Sequence, residues 1–363
     1  MKRFKIIISG GGTGGHIFPA ISIALGLKKR FPKSNILFVG AINKMEMEIV
    51  PKYNFKIKGL LISGFKRSIS FYNLLFPLKI VFSLIQSFFI IKKFKPDIVI
   101  GTGGFASGPI LIISQVLKIP NVIQEQNSFP GLTNKILSKR SNLVFVAFDG
   151  MEKYFNNNRV LLVGNPVRKF DNLDKLNHLD LKNQYSLNVE KKILFVLGGS
   201  LGAKKINEFL RDKLTFFKKN NFQILWQTGK KYYNEFKKFS DKDVKVLPFI
   251  EDINKIFSIA DIIISRAGAI TLSELCFSKS PVFLIPSPNV TANHQYYNAL
   301  VFERKKAAIL IEESKLNKEF ESEFINLIND NKRQKNMIKN LNKLSKPDSV
   351  NSIINEILKL VKC

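Results

Sequence analysis

Residues 5–16 read KIIISGGGTGGH: a short β-branched apolar run, then glycine at positions 10, 11, 12, 14 and 15. Consecutive isoleucines favour an extended strand, and glycine lets the backbone turn at once into a following element. The next stretch, 18–30, carries its apolar residues at helical spacing. The opening therefore predicts strand, glycine turn, helix. Working outward, further strands are expected at 35–40, 97–101, 121–124 and 143–147, with helical stretches between several of them. Strands that alternate with helices predict a parallel sheet covered on both faces.

The pattern restarts near residue 190. A strand at 192–197 runs into GGSLGA, and strands at 224–227, 244–247, 262–265 and 282–285 follow, with helices at 207–219, 253–258 and 270–277. The fold class is α/β, with two doubly wound, Rossmann-like halves built on parallel sheets. The seam falls at 164–191, where the chain turns polar. Ligands of open parallel sheets bind outside the carboxyl ends of the strands, so two facing halves predict an interdomain cleft. The expected domains are 1–164, 165–340 and a C-terminal helical tail at 341–363, the helical spacing of the tail beginning near 319.

A length of 363 residues agrees with two domains, and a 45% hydrophobic content excludes a disordered chain. Cys276 and Cys363 are the two cysteines, too few for a disulfide framework and consistent with a reducing compartment. The first apolar run is far shorter than the roughly 7–15 residues of a secretory leader, so none is expected. His16, His178 and His294 stand far apart and form no metal-type cluster. The one D-x-D, Asp241-Lys242-Asp243, sits among lysines and reads as surface, so no metal site is expected. The formal net charge of +29 favours anionic partners: nucleic acid, anionic lipid or a phosphorylated substrate. Abundant Lys, Asn, Ile and Phe also mark a genome rich in A/T codons, which raises lysine everywhere.

Three glycine runs follow strands: 10–15, 101–108 and 198–203. Glycine lets main-chain N–H groups approach phosphate at a helix N-terminus, and three such runs suggest several phosphates. A dinucleotide site also wants an acid at the end of the second strand, whereas this strand ends in Ala41-Ile42-Asn43. The Walker pattern is absent too, which disfavours phosphoryl transfer from ATP.

Seven segments occur in order: GGTGGHIFPA (11–20), GTGGFASGP (101–109), EQNSFPGLTNK (125–135), GNPVR (164–168), GGSLGA (198–203), SRAGAITLSE (265–274) and PSPNVTANHQYYNA (286–299). This series resembles the signature of the MurG-type transferases. The resemblance implies a GT-B fold and inverting transfer of N-acetylglucosamine from UDP-N-acetylglucosamine to the 4-hydroxyl of undecaprenyl-pyrophosphoryl-N-acetylmuramoyl-pentapeptide, lipid I, without cofactor or metal. It places the acceptor in the first domain and the donor mainly in the second. Carried over motif by motif, it implies donor contacts from Thr13, Gly14, Gly15, Asn127, Arg168, Ser200, the main chain of Ile250, the helix start Ala269, Ile270, Thr271, Leu272, Ser273 and Glu274, and Gln295. Glu274 would accept the ribose hydroxyls and Gln295 would bind the sugar. His16 and Glu125 are the candidate bases, the imidazole having a pKa near 6.5 suited to proton transfer. The resemblance also implies cell-wall or division proteins as partners, and no nucleic acid. Two positions depart from the pattern: Gln124 stands where the family has histidine, and Leu201 where it has glutamine.

Residues 49–96 hold nine Lys/Arg and no acid, around a very apolar stretch at 71–95. Lys79 and Pro77 argue against a span, because a charge at the bilayer centre costs about 2.5–3.5 kcal/mol. A helix that lays Phe71, Leu75, Leu78 and Phe82 into an anionic membrane surface fits the flanking basic residues. A peripheral place on the cytoplasmic face of the cell membrane is the expectation. Two rival readings remain: a related transferase acting on diacylglycerol, and a basic membrane- or nucleic-acid-binding module without catalysis. The second accounts for the charge but not for three glycine loops.

Overall fold

The computed structural model describes residues 3–64, 76–155, 159–167, 177–199 and 201–361. The chain forms two compact units. Met1–Arg168 and Lys346–Cys363 make the first, and Lys169–Ser345 the second.

The first unit has a seven-stranded parallel sheet: β1 (Lys5–Ser9), β2 (Asn35–Ala41), β3 (Lys56–Leu60), β4 (Ile98–Gly101), β5 (Asn121–Glu125), β6 (Leu143–Val146) and β7 (Val160–Leu162), in the order 3-2-1-4-5-6-7. Both faces are covered. Ile6 and Ile8 of β1 join Phe38, Ile98 and Ile100 against α1 (Gly14–Arg30), while Ile7 joins Leu37 and Val99 on the other face. That face packs on α3 (Phe76–Phe94) and α4 (Gly108–Val116) through Ile90, Ile91, Ile110 and Leu111. Two short helices, α2 (Met45–Ile49) and α5 (Leu132–Ser138), follow β2 and β5.

The second unit repeats the design with six parallel strands: β8 (Lys192–Leu197), β9 (Phe222–Gln227), β10 (Val244–Leu247), β11 (Ile262–Ser265), β12 (Val282–Leu284) and β13 (Ile309–Leu310), ordered 10-9-8-11-12-13. Its helices are α6 (His178–Gln184), α7 (Lys204–Lys219), α8 (Tyr233–Phe236), α9 (Ile253–Ile259), α10 (Ala269–Leu275), α11 (His294–Arg304), α12 (Leu316–Ile328) and α13 (Asn331–Lys343). Phe209, Phe217, Phe222, Phe283, Phe320 and Phe324 build an aromatic core between sheet and helices. In both sheets the strand order reverses beside the first strand, at β1/β4 and at β8/β11. Doubly wound sheets bind ligands at that reversal.

Three differences from the sequence reading stand out. The helix expected at 18–30 begins at Gly14, so His16 lies in its first turn. The polar seam contains α6. The tail is not a separate segment: α14 (Ser349–Val361) belongs to the first unit, where Ile353, Ile354, Ile357 and Leu358 join the core against α1. Their spacing puts all four on one face of that helix, and burying that face on α1 is what holds it there.

Candidate functional site

In the first unit the loops after β1 and β4 meet around His16. Its ring packs on Gly103: a Cβ there would lie 3.0 Å from the ring's Cδ2. Nδ1 lies 3.1 Å from the carbonyl oxygen of Gly11 and 3.2 Å from Oγ1 of Thr13. A carbonyl only accepts, so the bond to Gly11 requires the proton on Nδ1 and leaves Nε2 as the basic nitrogen. Thr102, buried, donates its hydroxyl to the carbonyl of His16 at 2.8 Å. Gly104 has φ +78, and a Cβ on it would fall 2.3 Å from the Gly11 carbonyl. Only glycine fits there, and its reason is loop-on-loop packing. Thr13 and Gly15 are exposed and Gly14 half-buried at the start of α1.

The first glycine run does not offer all its N–H groups outward. Glu46 of α2 is completely buried; its Oε2 accepts the N–H of Gly12 at 3.0 Å and its Oε1 that of Ala41 at 2.9 Å. The acid that the end of β2 lacks is thus supplied five residues on, and it is turned inward. Sequence reading missed it. The available signal was an acid five residues past the Gly40-Ala41 end of that strand.

Glu125, at the end of β5, is 1% exposed. Its carboxylate accepts from the N–H of Asn127 at 3.0 Å and its Nδ2 at 3.2 Å, and from the N–H of Gly131 at 3.0 Å and Nδ2 of Asn134 at 2.8 Å. Four donors occupy the lone pairs a base would need, so Glu125 reads as a brace for the loop 125–131. Asn127 is half-buried on that loop. Gln124, the departure from the family pattern, is fully buried. It donates to Oδ1 of Asn165 at 3.0 Å and accepts a short bond from Gln126. That position ties β5 to the GNPVR segment inside the first unit.

In the second unit, the loop after β8 turns through Gly199 (φ +83) and Gly202 (φ +78), where a Cβ would meet the Thr228 carbonyl at 2.1 Å. Leu201 is 68% exposed. Gln227, at the end of β9, accepts the N–H of Ile250 at 2.8 Å and donates to the Gly199 carbonyl at 3.4 Å, joining two expected donor segments. Ile250 itself is buried, and a base bound through its N–H has to displace Gln227. Helix α10 starts after Gly268, directly past β11. Leu272 is fully buried, so it can serve a ligand only through its main chain; Ser273 returns its hydroxyl to the Ala269 carbonyl at 3.0 Å. Ala269 is buried, while Ile270, Thr271 and Glu274 are partly exposed.

The loop leading into α11 holds Ala292 (φ 53) and Asn293 (φ 51) in the left-handed region, a strain of about 1–3 kcal/mol for each such residue. Gln295 follows and accepts the Ser287 N–H at 2.9 Å. Two bonds tie this region to the start of α10: Arg266 donates to the Ile285 carbonyl at 3.0 Å and Asn298 to that of Ala267 at 3.3 Å. Arg168 and Ser200 lie outside the described residues. Asp241 and Asp243 pair with Lys218 (2.5 Å) and Lys191 (2.7 Å). Among the described residues no cluster of His, Cys, Asp and Glu is placed to hold a metal ion.

Helix α3 turns its polar stripe inward. Ser83 and Ser87 are buried, and each hydroxyl caps a carbonyl of its own helix, at 2.8 and 2.7 Å. Gln86 accepts the Leu61 N–H at 2.8 Å. The outward face carries Leu78, Val81, Phe82, Ile85, Phe88 and Phe89, with Phe82 56% and Phe89 65% exposed. Phe71 and Leu75 lie outside the described residues. No described helix is long and apolar enough to cross a membrane.

The halves match known families in order. Residues 6–146 match the glycosyltransferase family 28 N-terminal domain, and residues 193–353 its C-terminal domain. The chain is 47% identical to the UDP-N-acetylglucosamine–N-acetylmuramyl-(pentapeptide) pyrophosphoryl-undecaprenol N-acetylglucosamine transferase of Flavobacterium psychrophilum, over 100% of this chain and 99% of that one. It is 46% identical to the enzyme of that name from Christiangramia forsetii, over 99% and 98%. The crystal structure of Acinetobacter baumannii MurG superposes with a TM-score of 0.79 at 26% identity, covering 98% of this chain and 99% of that one. The chain belongs to this family of N-acetylglucosamine transferases, and its two Rossmann-like units are those of the GT-B fold.

Proposed function

We propose that this chain transfers N-acetylglucosamine from UDP-N-acetylglucosamine to the 4-hydroxyl of lipid I, giving lipid II for peptidoglycan. Similarity at 47% identity across the whole chain carries this reading. The second unit takes the donor. Main-chain N–H groups at Ala269–Thr271 and the cation Arg168 meet the pyrophosphate, Glu274 the ribose, Ile250 the uracil and Gln295 the sugar. The first unit takes the acceptor. Nε2 of His16 removes the 4-hydroxyl proton as that oxygen bonds to the anomeric carbon from the face opposite UDP. The bond from that carbon to the β-phosphate oxygen breaks, and UDP leaves with the electron pair. Oriented N–H dipoles and a permanent cation stabilise the leaving charge. The bond from Nδ1 to Gly11 supports this role, since it fixes the tautomer that a base at Nε2 needs.

The acceptor is a lipid, and the outward face of α3 supplies the docking surface. Leu78 and Phe82 lie on it, and the exposed Lys92, Lys93 and Lys95 follow at its C-terminal end, a composition suited to anionic headgroups. The protein then works as a peripheral enzyme on the cytoplasmic face of the membrane.

The test is transfer of labelled N-acetylglucosamine to a lipid I analogue in anionic vesicles, with UDP-glucose and UDP-galactose as competing donors. A β-1,4-linked product from UDP-N-acetylglucosamine alone is the expected result. Equal transfer from UDP-glucose to diacylglycerol would move the chain to the diacylglycerol branch.

A further inference from the structure

We propose that Glu46 is a positioning residue for the transfer reaction, fixing the ring and tautomer of His16 through a single peptide group. The inference rests on the reading of His16 as the base.

The geometry begins with a buried charge. A carboxylate taken out of water must be bonded, and Glu46, 0% exposed, is bonded at both oxygens to main-chain N–H groups. Two glycines make room for it. A Cβ on Gly11 would lie 2.2 Å from its Oε1, and one on Gly40 would lie 2.5 Å from its Cγ. The ends of β1 and β2 and the start of α2 are therefore shaped around this one side chain.

The N–H of Gly12 and the C=O of Gly11 belong to the same peptide group. In a trans peptide they point in opposite directions, and the structure contains no cis peptide among the described residues. Glu46 holds the N–H end at 3.0 Å, and the carbonyl end therefore faces Nδ1 of His16, at 3.1 Å. The chain of contacts runs carboxylate, N–H, C=O, Nδ1–H. A peptide whose N–H is bonded to an anion is polarised, and its oxygen is a stronger acceptor. Glu46 thus does two things at a distance. It stops the glycine-rich peptide from rotating, and it favours the proton on Nδ1, which keeps Nε2 basic. An external phosphate would compete for that same Gly12 N–H, so Glu46 also removes this group of the first glycine run from phosphate binding.

The deciding experiment reads the imidazole directly. The full-length protein has three histidines, and the His16 ring-nitrogen signals are assigned by their loss in His16→Gln. Wild type is expected to show His16 neutral with the proton on Nδ1. Glu46→Gln keeps the size, but its amide nitrogen faces one of the two N–H donors. The His16 signals then move toward a tautomer mixture, kcat falls about tenfold, and KM for UDP-N-acetylglucosamine stays within about twofold. Glu46→Asp, which keeps the charge, recovers part of both effects. Two results overturn the proposal: an unchanged Nδ1–H signature in Glu46→Gln, or a fall in turnover that tracks loss of fold and raises KM for both substrates. Should Glu46→Gln fail to fold, Glu46→Asp decides: its shorter side chain cannot reach both N–H groups, so a partial move toward the other tautomer is expected, and an unchanged Nδ1–H signature overturns the proposal. The tautomer tests Glu46 alone. Turnover of His16→Ala separately tests the base: activity near wild type there removes the base assignment and leaves the Glu46 result standing.

Discussion

The guanidinium of Arg266 pairs with the carboxylate of Glu313 in the second unit, with the two side chains only 11% and 17% exposed. Burial pushes the Arg266 pKa below its usual range, and Glu313 acts against that shift. The same guanidinium donates to the Ile285 carbonyl, beside the loop that leads to Gln295. Removing one partner of a buried pair strands the other charge, at a cost of about 3 kcal/mol. Glu313→Gln is therefore expected to lower the melting transition by roughly 6–12 °C for a domain of this size. KM for UDP-N-acetylglucosamine should rise as the loop that leads to Gln295, proposed to bind the sugar, loosens. Calorimetry and donor kinetics check both; a melting point within about 2 °C of wild type would show that the pair contributes little.

Glu125 separates two roles that the sequence left open. A general base contributes about 10²–10⁴ to kcat and need not affect stability. A brace with four donors does the reverse. With hydrogen bonds from Asn127, Gly131 and Asn134 on one carboxylate, Glu125→Gln is expected to cost about 2 kcal/mol of stability. It should raise KM for the lipid acceptor more than it lowers kcat. Thermal melts and acceptor titrations on the same preparation distinguish the roles. Loss of kcat at an unchanged melting point would restore the base reading.

Legibility in the sequence followed burial. The central strands were readable because they are mostly apolar runs covered on both faces, as at Ile6, Ile7 and Ile8. The strands that were missed are β3, β7 and β13, all at sheet edges. Edge strands are short and half-exposed: β7 and β13 span three and two residues, and β3 alternates exposed Lys56 and Lys58 with less exposed neighbours. Helix α6 escaped because only Leu181 is buried on it. The start of α1 was hidden by Gly14 and Gly15, since glycine is a weak helix former. In the site, the motifs located the loops but not what holds them. Glu46, Gln227 and Asn298 act through approaches between distant segments, and no spacing along the chain records that. On α3, Ser83 and Ser87 are small enough to pack inward, which leaves Phe82 and Phe89 facing outward.

The outward apolar face of α3 makes a direct prediction about membranes. Phe82 and Phe89 make little of the core, so replacing both with Ser should leave the melting point within about 2 °C. Burying a phenylalanine side chain is worth about 1.5–3 kcal/mol. Binding to vesicles containing anionic lipid should therefore weaken at least about tenfold per residue. Added salt should weaken wild-type binding further, because the flanking lysines act through screened charge. Co-sedimentation measures both. Undiminished binding of the double variant would place the docking surface elsewhere.

Cys276 gives a prediction with a defined pH window. It lies buried in the turn after α10, with Sγ 3.2 Å from the Leu272 carbonyl. Burial pushes its thiol from 9.0 up to about 12. The neutral thiol is favoured in the folded state, so below pH 9 the group has no effect on stability relative to the unfolded chain. Above pH 9 the unfolded chain ionises first and gains, and stability falls as pH rises toward about 12, by up to about 1.4 kcal/mol per unit. Lysines and tyrosines titrate in the same range, so the comparison is with Cys276→Ala. The variant should lose less stability than wild type between pH 9 and 11, while their difference below pH 8 stays constant. Iodoacetamide should modify Cys276 at pH 8 only in denaturant, followed by peptide mass. Rapid alkylation of the folded enzyme at that position would mean that the turn after α10 opens.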